Sequence, residues 1–499
     1  MFGAINNSLF LSISRSLNRA SQRASDSIQR LASGSRFVSP TDDPLNQRFV
    51  ERLDSQLRGM QQAGYNIDKT LGLVTQASDA LQNMEDIATT LKDLATQAAD
   101  SSISSEDRAL IEQEADILME QFKSYSTNTS FDGFNLLNGS FGSKTVQTGA
   151  NAGQNFSFSI GDARTTVLGK LSIVSGGQDG GIFAIGSSNS LSINNVYINA
   201  STDDGYSTAG IGTSALSKVN AINAKSNETG VTAEALATVQ TLYSDFAGAG
   251  TYTGSFTDGD FLINGVDITG TIADASDLAN AINDHSSTTG VTASLNGSGE
   301  VVLTAEDGRN IQLQISNAST NNIFDAFNVT ENEGQSLFDG TGMAALSSGS
   351  DGYAIGAIQI YSSDKIVIGG NAPEKAIDIT SGTYNLDAGT SFQHIDLSTA
   401  DDAAFAVKIL ESTVADISTL RANIDAVHSR LSSTANTLVQ GETNLQTTIE
   451  AVGATDFALE IANLAMAQFL QDASIASLAQ ANVSLSKVQD LLKPLKNTD

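Results

Sequence analysis

The stretch ISTLRANIDAVHSRLSSTANTLVQGETNLQTTIEAV, Ile417–Val452, decides the fold. Ile417, Leu420, Ile424, Val427, Leu431, Thr434, Leu438, Gly441, Leu445, Thr448 and Val452 alternate at intervals of three and four residues. Sustained heptads of that kind predict an amphipathic α-helix with a coiled-coil seam. A lone helix of this length with one apolar stripe is not stable in water. The rest of the chain must therefore supply a partner.

The partner is legible at the other end. From Leu45 to Ala99, Val50, Leu53, Leu57, Met60, Gly64, Ile67, Leu71, Val74, Ser78 and Leu81 keep the heptad. The seam shifts register near Met84 and continues through Ile87, Leu91 and Leu94. A helix of this length spans roughly 80 Å at about 1.5 Å per residue. A rod core of Leu53, Leu57 and Leu71 against Ile417, Leu420, Ile424, Val427, Leu431, Leu438 and Leu445 follows. After a turn at Ser101–Asp107, with Ser104 or Ser105 as N-cap, a return helix runs to about Phe122.

Two further helices flank this pair. Asn6–Gly34 carries Phe10, Ile13, Leu17, Ala20, Ala24, Ser27 and Leu31 on one stripe, and its small residues permit close backbone approach. Asp456–Leu492 carries Phe457, Ile461, Leu464, Phe469, Ile475, Leu478 and Leu485. The head helix holds Arg15, Arg19, Arg23, Arg30 and Arg36 against Asp26, whereas the tail is mildly acidic. That contrast fits pairing of the two termini, or simply two solvated faces. Pro40 and Pro44 break the head from the rod. Asp42 and Asp43 between them read as turn and capping residues, with a metal or acid–base pair as the alternative.

The middle of the chain is rich in Gly, Asn, Thr and Ser. Short runs such as FSFSI, GKLSIV, VVLTAE, IQLQIS and DKIVIG predict strands. It also repeats itself. LSINNVYI at Leu191–Ile198 matches FLINGVDI at Phe261–Ile268, and NAIN followed by TGVTA closes each copy, at Ala233 and Ala293. Each copy reads as strand, loop, short helix, strand. The extra residues of copy one fall in the loop GYSTAGIGTSA, where insertions are tolerated.

The bulk numbers exclude several functions. The 499 residues carry a net charge of −30, which argues against nucleic acid and anionic membranes. There is no Cys, so there is no disulfide framework. MFGAINNSLFLSISRSLNRA lacks the charged start and unbroken apolar stretch of a secretory signal. The histidines, His285, His394 and His428, sit in no HExxH, and the chain holds no phosphate loop, GxSxG elbow or EF-hand loop. No catalytic residue, metal or cofactor is expected.

Several blocks carry a family resemblance. RLASGSRFVSPTDDP (Arg30–Pro44), SQLRGMQQAGYNIDK (Ser55–Lys69), LKDLATQAADSS and STNTSFDGFNLLNGS (Ser126–Ser140) resemble the head of bacterial flagellins. RANIDAVHSRLSSTANTL (Arg421–Leu438) and IANLAMAQFLQDASIASLAQAN (Ile461–Asn482) resemble the flagellin tail. The resemblance implies an α+β fold in three parts: an inner helical tube from 1–44 and 456–499, a helical rod from 45–165 and 403–455, and a β-rich exposed region from 166–402 in two subdomains, with the internal repeat at 191–233 and 261–293. It implies a subunit that polymerises into the extracellular flagellar filament, exported through the flagellar type III apparatus without a cleaved signal. The implied partners are other copies of the chain, the cap protein, the hook–filament junction protein and an export chaperone. A Toll-like immune receptor reads the family on the rod helix. There the matching positions are Leu94 and Glu114, with Thr90 where recognised members carry arginine, which implies weakened recognition. Ser39-Pro40-Thr41-Asp42-Asp43-Pro44 resembles instead the junction proteins of the same superfamily. Junction protein is therefore the alternative reading, and a surface adhesin the next.

Overall fold

The computed structural model describes residues 2–39, 42–177, 183–208, 210, 212–244, 254–315, 327–328 and 350–492. The fold is α+β. It opens with helices α1 (Phe2–Ser33), α2 (Pro44–Ala98) and α3 (Ser105–Asn128). After the short α8 (Pro373–Ile377) it closes with α9 (Ala400–Gly453) and α10 (Phe457–Leu492), and sheets occupy the middle. Two compact units result, each assembled from stretches distant in sequence.

The first unit comprises Met1–Ala80, Thr129–Gly161 and Leu420–Asp499. Here α1 and α10 pack side by side, antiparallel. They are tied at one end by a bridge between Ser35 and Ala454, where Arg36 N–H donates to Gly453 O (2.9 Å) and Thr455 N–H donates to Gly34 O (3.0 Å). In the same unit α2 runs antiparallel to α9. Val50 lies near Gly453, Met60 lies against Gly441, and Ser78 Oγ donates to Asp425 Oδ1 at 3.2 Å. A Cβ on Gly441 would come 2.5 Å from Met60 Cε, so the methionine tip fills the space that the glycine leaves. Two hairpins lie on these helices. One is β1 (Ser130–Phe131) with β2 (Phe134–Asn135), tied down by Lys69 to Asp132 at 2.6 Å. The other is β3 (Ser143–Gln147) with β4 (Asn155–Ser159), where Arg430 sits over the Phe156 ring at 4.7 Å.

The rod seam differs in one respect from the sequence pattern. Along α2, Ile67 and Val74 are buried as the spacing expects, but the other buried seam positions between them and beside them are Ala63, Thr70 and Ala77, one position before Gly64, Leu71 and Ser78, and Leu71 is half-buried. Alanine at 63 and 77 permits a closer helix approach than leucine would, so Leu71 flanks the seam at this level instead of filling it. From Ala77 the buried positions run on through Leu81, Met84, Ala88, Leu91, Ala95 and Ala98 without a register shift.

The second unit comprises Leu81–Asn128 and Asp162–Thr419. The end of α2, α3 and the start of α9 bury Met84, Leu91, Phe122, Ile409 and Ile417, and Phe122 stacks on Phe392 with ring centroids 4.0 Å apart. The β-region holds two apolar cores. One surrounds Leu191, Ile193, Ile222 and Ile360, and the other Ile263, Leu278, Ile282 and Leu303. In copy one a hairpin of β6 (Ser192–Ile193) and β7 (Val196–Tyr197) leads to α4 (Ala215–Asn223), α5 (Ser226–Thr229) and β8 (Thr232–Ala235). Strand β9 (Thr238–Ser244) and β10 (Gly254–Phe256) follow. In copy two a hairpin of β11 (Phe261–Ile263) and β12 (Val266–Asp267), then β13 (Gly270–Ile272), leads to α6 (Ala275–Asn283), α7 (Ser286–Thr289) and β14 (Thr292–Leu295). Both hairpins turn through left-handed residues, Asn194-Asn195 and Asn264-Gly265, the conformation a two-residue hairpin loop requires.

Candidate assembly surface

Helix α10 makes two kinds of surface. Toward α1 it turns Glu460, Leu464, Ala467, Gln471, Ser474, Leu478 and Ala481, at heptad spacing, and Glu460 and Ala467 are buried. Opposite them α1 buries Ala20, Ala24 and Ser27, with Ile13, Leu17 and Leu31 half-covered. The seam is thus lined largely by small residues. An ion pair crosses it at the base: Arg30 Nη1 lies 3.6 Å from Glu460 Oε1, and only 8% of the Glu460 side chain is exposed. Arg30 also reaches Asp42 at 3.4 Å.

Much of the remaining surface of α10 is apolar and exposed. Phe457, Leu459, Ile461, Met466, Phe469 and Ile475 are all exposed, and Phe469 leaves 68% of its surface uncovered. At about 100° per residue these side chains spread over more than half the circumference. A helix that is hydrophobic nearly all round belongs inside something, not on a surface. Phe10 of α1 is exposed as well.

The sequence had grouped Phe457, Ile461 and Phe469 with Leu464 and Leu478. The structure separates them: the two leucines touch the α1 seam and the other three face solvent. The side chain of Leu485 lies outside the described residues. Of the rod residues, Leu53, Leu57, Ile417, Ile424, Leu431 and Leu438 are buried. Leu71, Leu420, Val427 and Leu445 are half-buried. Glu460 and Arg30 were missed as a pair. Their signal was present, since Glu460 begins the 460–464–467–471 spacing.

The paired aspartates are structural. Asp43 Oδ1 accepts from Asn46 N–H at 3.3 Å, which caps α2, and Arg36 reaches Asp43 at 3.1 Å. Asp42 Oδ2 accepts from the N–H groups of Val38 and Ser39 (3.3 and 3.1 Å). Burial works to raise the Asp42 pKa, but these bonds and Arg30 outweigh it and hold the carboxyl low. Among the described residues no cluster of His, Asp and Glu could hold a metal ion, and no helix is long and apolar enough to cross a membrane.

On the rod, Thr90 is exposed and its Oγ1 donates back to Asp86 O at 2.9 Å, the bond a helical threonine makes to its own backbone. Leu94 is half-buried and Glu114 exposed. Lys92 is engaged with Glu411 at 2.8 Å.

The two chain crossings between rod helices and β-region are each pinned by a carboxylate. Gly169 N–H donates to Asp416 Oδ2 at 3.0 Å, and Leu397 N–H donates to Glu112 Oε2 at 2.6 Å. Burial pushes both acids up, against the hydrogen bond each accepts. Lys408 pairs with Glu234 and lies over the Tyr361 ring at 4.1 Å.

The sequence also matches known family patterns and relatives. The pattern of the bacterial flagellin N-terminal helical region matches residues 5–142, that of the C-terminal helical region 407–492, and the flagellin hook IN motif 255–307. The chain is 28% identical over 491 residues to the B-type flagellin of Pseudomonas aeruginosa, covering 97% of this chain and 98% of that one. It is 27% identical to flagellin B of Helicobacter pylori, covering 94% and 95%. A solved flagellar junction protein, FlgL from Legionella pneumophila, superimposes over 82% of this chain and 99% of its own at 12% identity, with a TM-score of 0.30.

Proposed function

The chain belongs to the bacterial flagellins, and from that premise we infer how it works: it is a structural subunit that polymerises into the extracellular flagellar filament. The observation that carries the mechanism is the apolar, uncovered circumference of α10. One partner helix covers only the seam side. Neighbouring subunits must cover the rest, and each Å² they remove from water contributes about 25 cal/mol. Ordering the termini opposes this, so the helices settle fully only in the polymer. Subunits that join head to tail without closing a ring build a helical filament.

The protein acts mechanically and performs no catalysis. In assembly it meets the junction protein at one end and the cap at the other, and before export a chaperone covers the apolar tail. Thr90 presents a methyl group and a hydroxyl committed to its own helix, where an arginine fork would be needed, so recognition by the Toll-like receptor is weak. A reporter-cell assay in which this chain matches a strongly recognised flagellin would contradict that.

Seeded polymerisation followed by electron microscopy tests the main reading. Long filaments are expected, and trimming either terminus abolishes them. Growth that stops at a short ring of subunits would favour the junction-protein alternative.

A further inference from the structure

We infer that the β-region is one module inserted into an earlier copy of itself at a single turn, and that a strap in the host clasps the insert.

The remaining strands supply the argument. In copy two, β15 (Val301–Ala305) pairs with β14, and β16 (Ile311–Ile315) pairs with the hairpin strand β11. Strands β17 (Phe327–Asn328) and β18 (Ser350–Ala354) then pair with β9 and β16. In copy one, β19 (Ile358–Ser362) pairs with β8, and β20 (Ile366–Gly369) pairs with the hairpin strand β6. The third and fourth strands of copy one therefore arrive only after copy two is finished.

The equivalence holds bond by bond. Leu295 faces Val301 as Ala235 faces Ile358. Asn296 N–H donates to Glu300 O at 3.0 Å, and Leu236 N–H donates to Ala357 O at 2.9 Å. In copy two that closing bond spans a short turn. In copy one the same bond spans 237–356, all of copy two. Asn264 N–H donates to Gln312 O and its Oδ1 accepts from Gln312 N–H; Asn194 does the same with Val367. Asn283 brackets Ala293 as Asn223 brackets Ala233, each through its side-chain amide.

The copies differ in length at two places. Copy one has the segment 199–214 between its hairpin and helix, where copy two has only 269–274. Copy two has the loop 306–310 where copy one has only 363–365. These extra segments meet. Asn310 N–H donates to Ser207 Oγ at 3.0 Å, and its Nδ2 donates to Thr213 Oγ1 at 3.2 Å. Thr208 Oγ1 donates to Gln312 Oε1 at 2.7 Å, and Arg309 lies over the Tyr206 ring at 5.0 Å. Apart from Gln312, which lies in β16, the residues that make these contacts lie outside the strands of either module.

Replacing 236–357 with Asn-Gly-Ser-Gly-Glu, copied from the turn at 296–300, tests the nesting. Hydrogen-exchange protection in β5 (Ser172–Ser175), β19 and β20 is expected to match the full chain; loss of it overturns the nesting. In the full chain, Ile282→Ala is expected to lower protection in the insert and leave β19 and β20 unchanged. Equal loss in both overturns the nesting independently of how the excised chain folds. The clasp is read with a fluorophore at Ser298→Cys, in a chain otherwise free of cysteine. Ser207→Ala with Asn310→Ala is expected to add a faster rotational component to the anisotropy decay at unchanged helical content. An unaltered decay overturns the clasp.

Discussion

Replacing Phe469 with alanine removes the most exposed aromatic side chain of α10 among the described residues and leaves its pairing with α1 untouched, because Phe469 lies off the seam. Alanine is also the better helix former, so the helix itself is not weakened. The magnitude follows from the uncovered surface. Phe469 is 68% exposed. A phenylalanine has about 150–250 Å² to bury, so about 100–170 Å² awaits a neighbour. At about 25 cal/mol per Å² that is about 2.5–4 kcal/mol. Alanine retains its Cβ, which leaves a loss of about 2–3 kcal/mol for each subunit added. Each ~1.4 kcal/mol is tenfold in an equilibrium constant, so the critical concentration for filament growth rises roughly 30- to 140-fold. Sedimentation of seeded filaments at a series of subunit concentrations measures it directly. Asn482→Ala, at an exposed polar position of the same helix, is the control. If F469A grows at the same critical concentration as the control, the exposed face is not an assembly surface and the reasoning fails.

Three further outcomes are expected. Removing one partner of the Arg30–Glu460 pair strands a buried charge, a loss of about 3–5 kcal/mol for a fully enclosed pair and about 1–3 kcal/mol here, because Arg30 keeps partial access to water; the double change to Met at both positions recovers most of it. A double-mutant cycle on filament melting that gives no coupling would rule this out. Gly169 has φ +74°, and a Cβ there would collide with Thr413 Oγ1 and come 2.9 Å from Ile409 Cγ2; Gly169→Ala costs about 1–3 kcal/mol in urea unfolding, and a neutral result would contradict the close approach. The pH dependence has two signs. Burial works to raise Asp204, but hydrogen bonds from the Ser207 and Tyr206 N–H groups and the Ser214 and Ser207 hydroxyls outweigh it and lower its pKa. Its stabilisation is therefore present above the ordinary carboxylate range and lost as pH falls through the lowered value. Asp416 is raised by burial, so its effect is opposite: a cost at neutral pH, relieved as pH falls through the raised value. Asp204→Asn should destabilise at pH 7 and flatten the acid limb, whereas Asp416→Asn should not destabilise at pH 7 beyond the loss of one hydrogen bond; urea melts across pH 3–7 that respond identically to both would refute the assignment.

Much of this fold was legible because heptads are local. Ile417, Ile424, Leu431 and Leu438 announced a buried seam from spacing alone, and NAIN…TGVTA announced a duplicated module. Other features leave no local trace. DKIVIG reads as a strand, but nothing near Ile366 says that its partner is Ser192–Ile193, since that pairing is tertiary and reaches across an inserted module. The faces of α10 were blurred for a related reason. When apolar residues occur on nearly every side, periodicity cannot choose among them, and the sequence names Phe469 beside Leu464 without separating their faces. The seam's own residues, Glu460, Gln471 and Ser474, are polar or small and carry no hydrophobic signal.

Amide hydrogen exchange along α1 and α10, compared between the unpolymerised chain and its filament, tests the central claim most directly. If copies of the subunit complete the cover of these helices, their amides exchange quickly before assembly and become protected by orders of magnitude after it. Protection in the free chain equal to that in the filament would mean that the helices need no neighbours, and the account would be wrong.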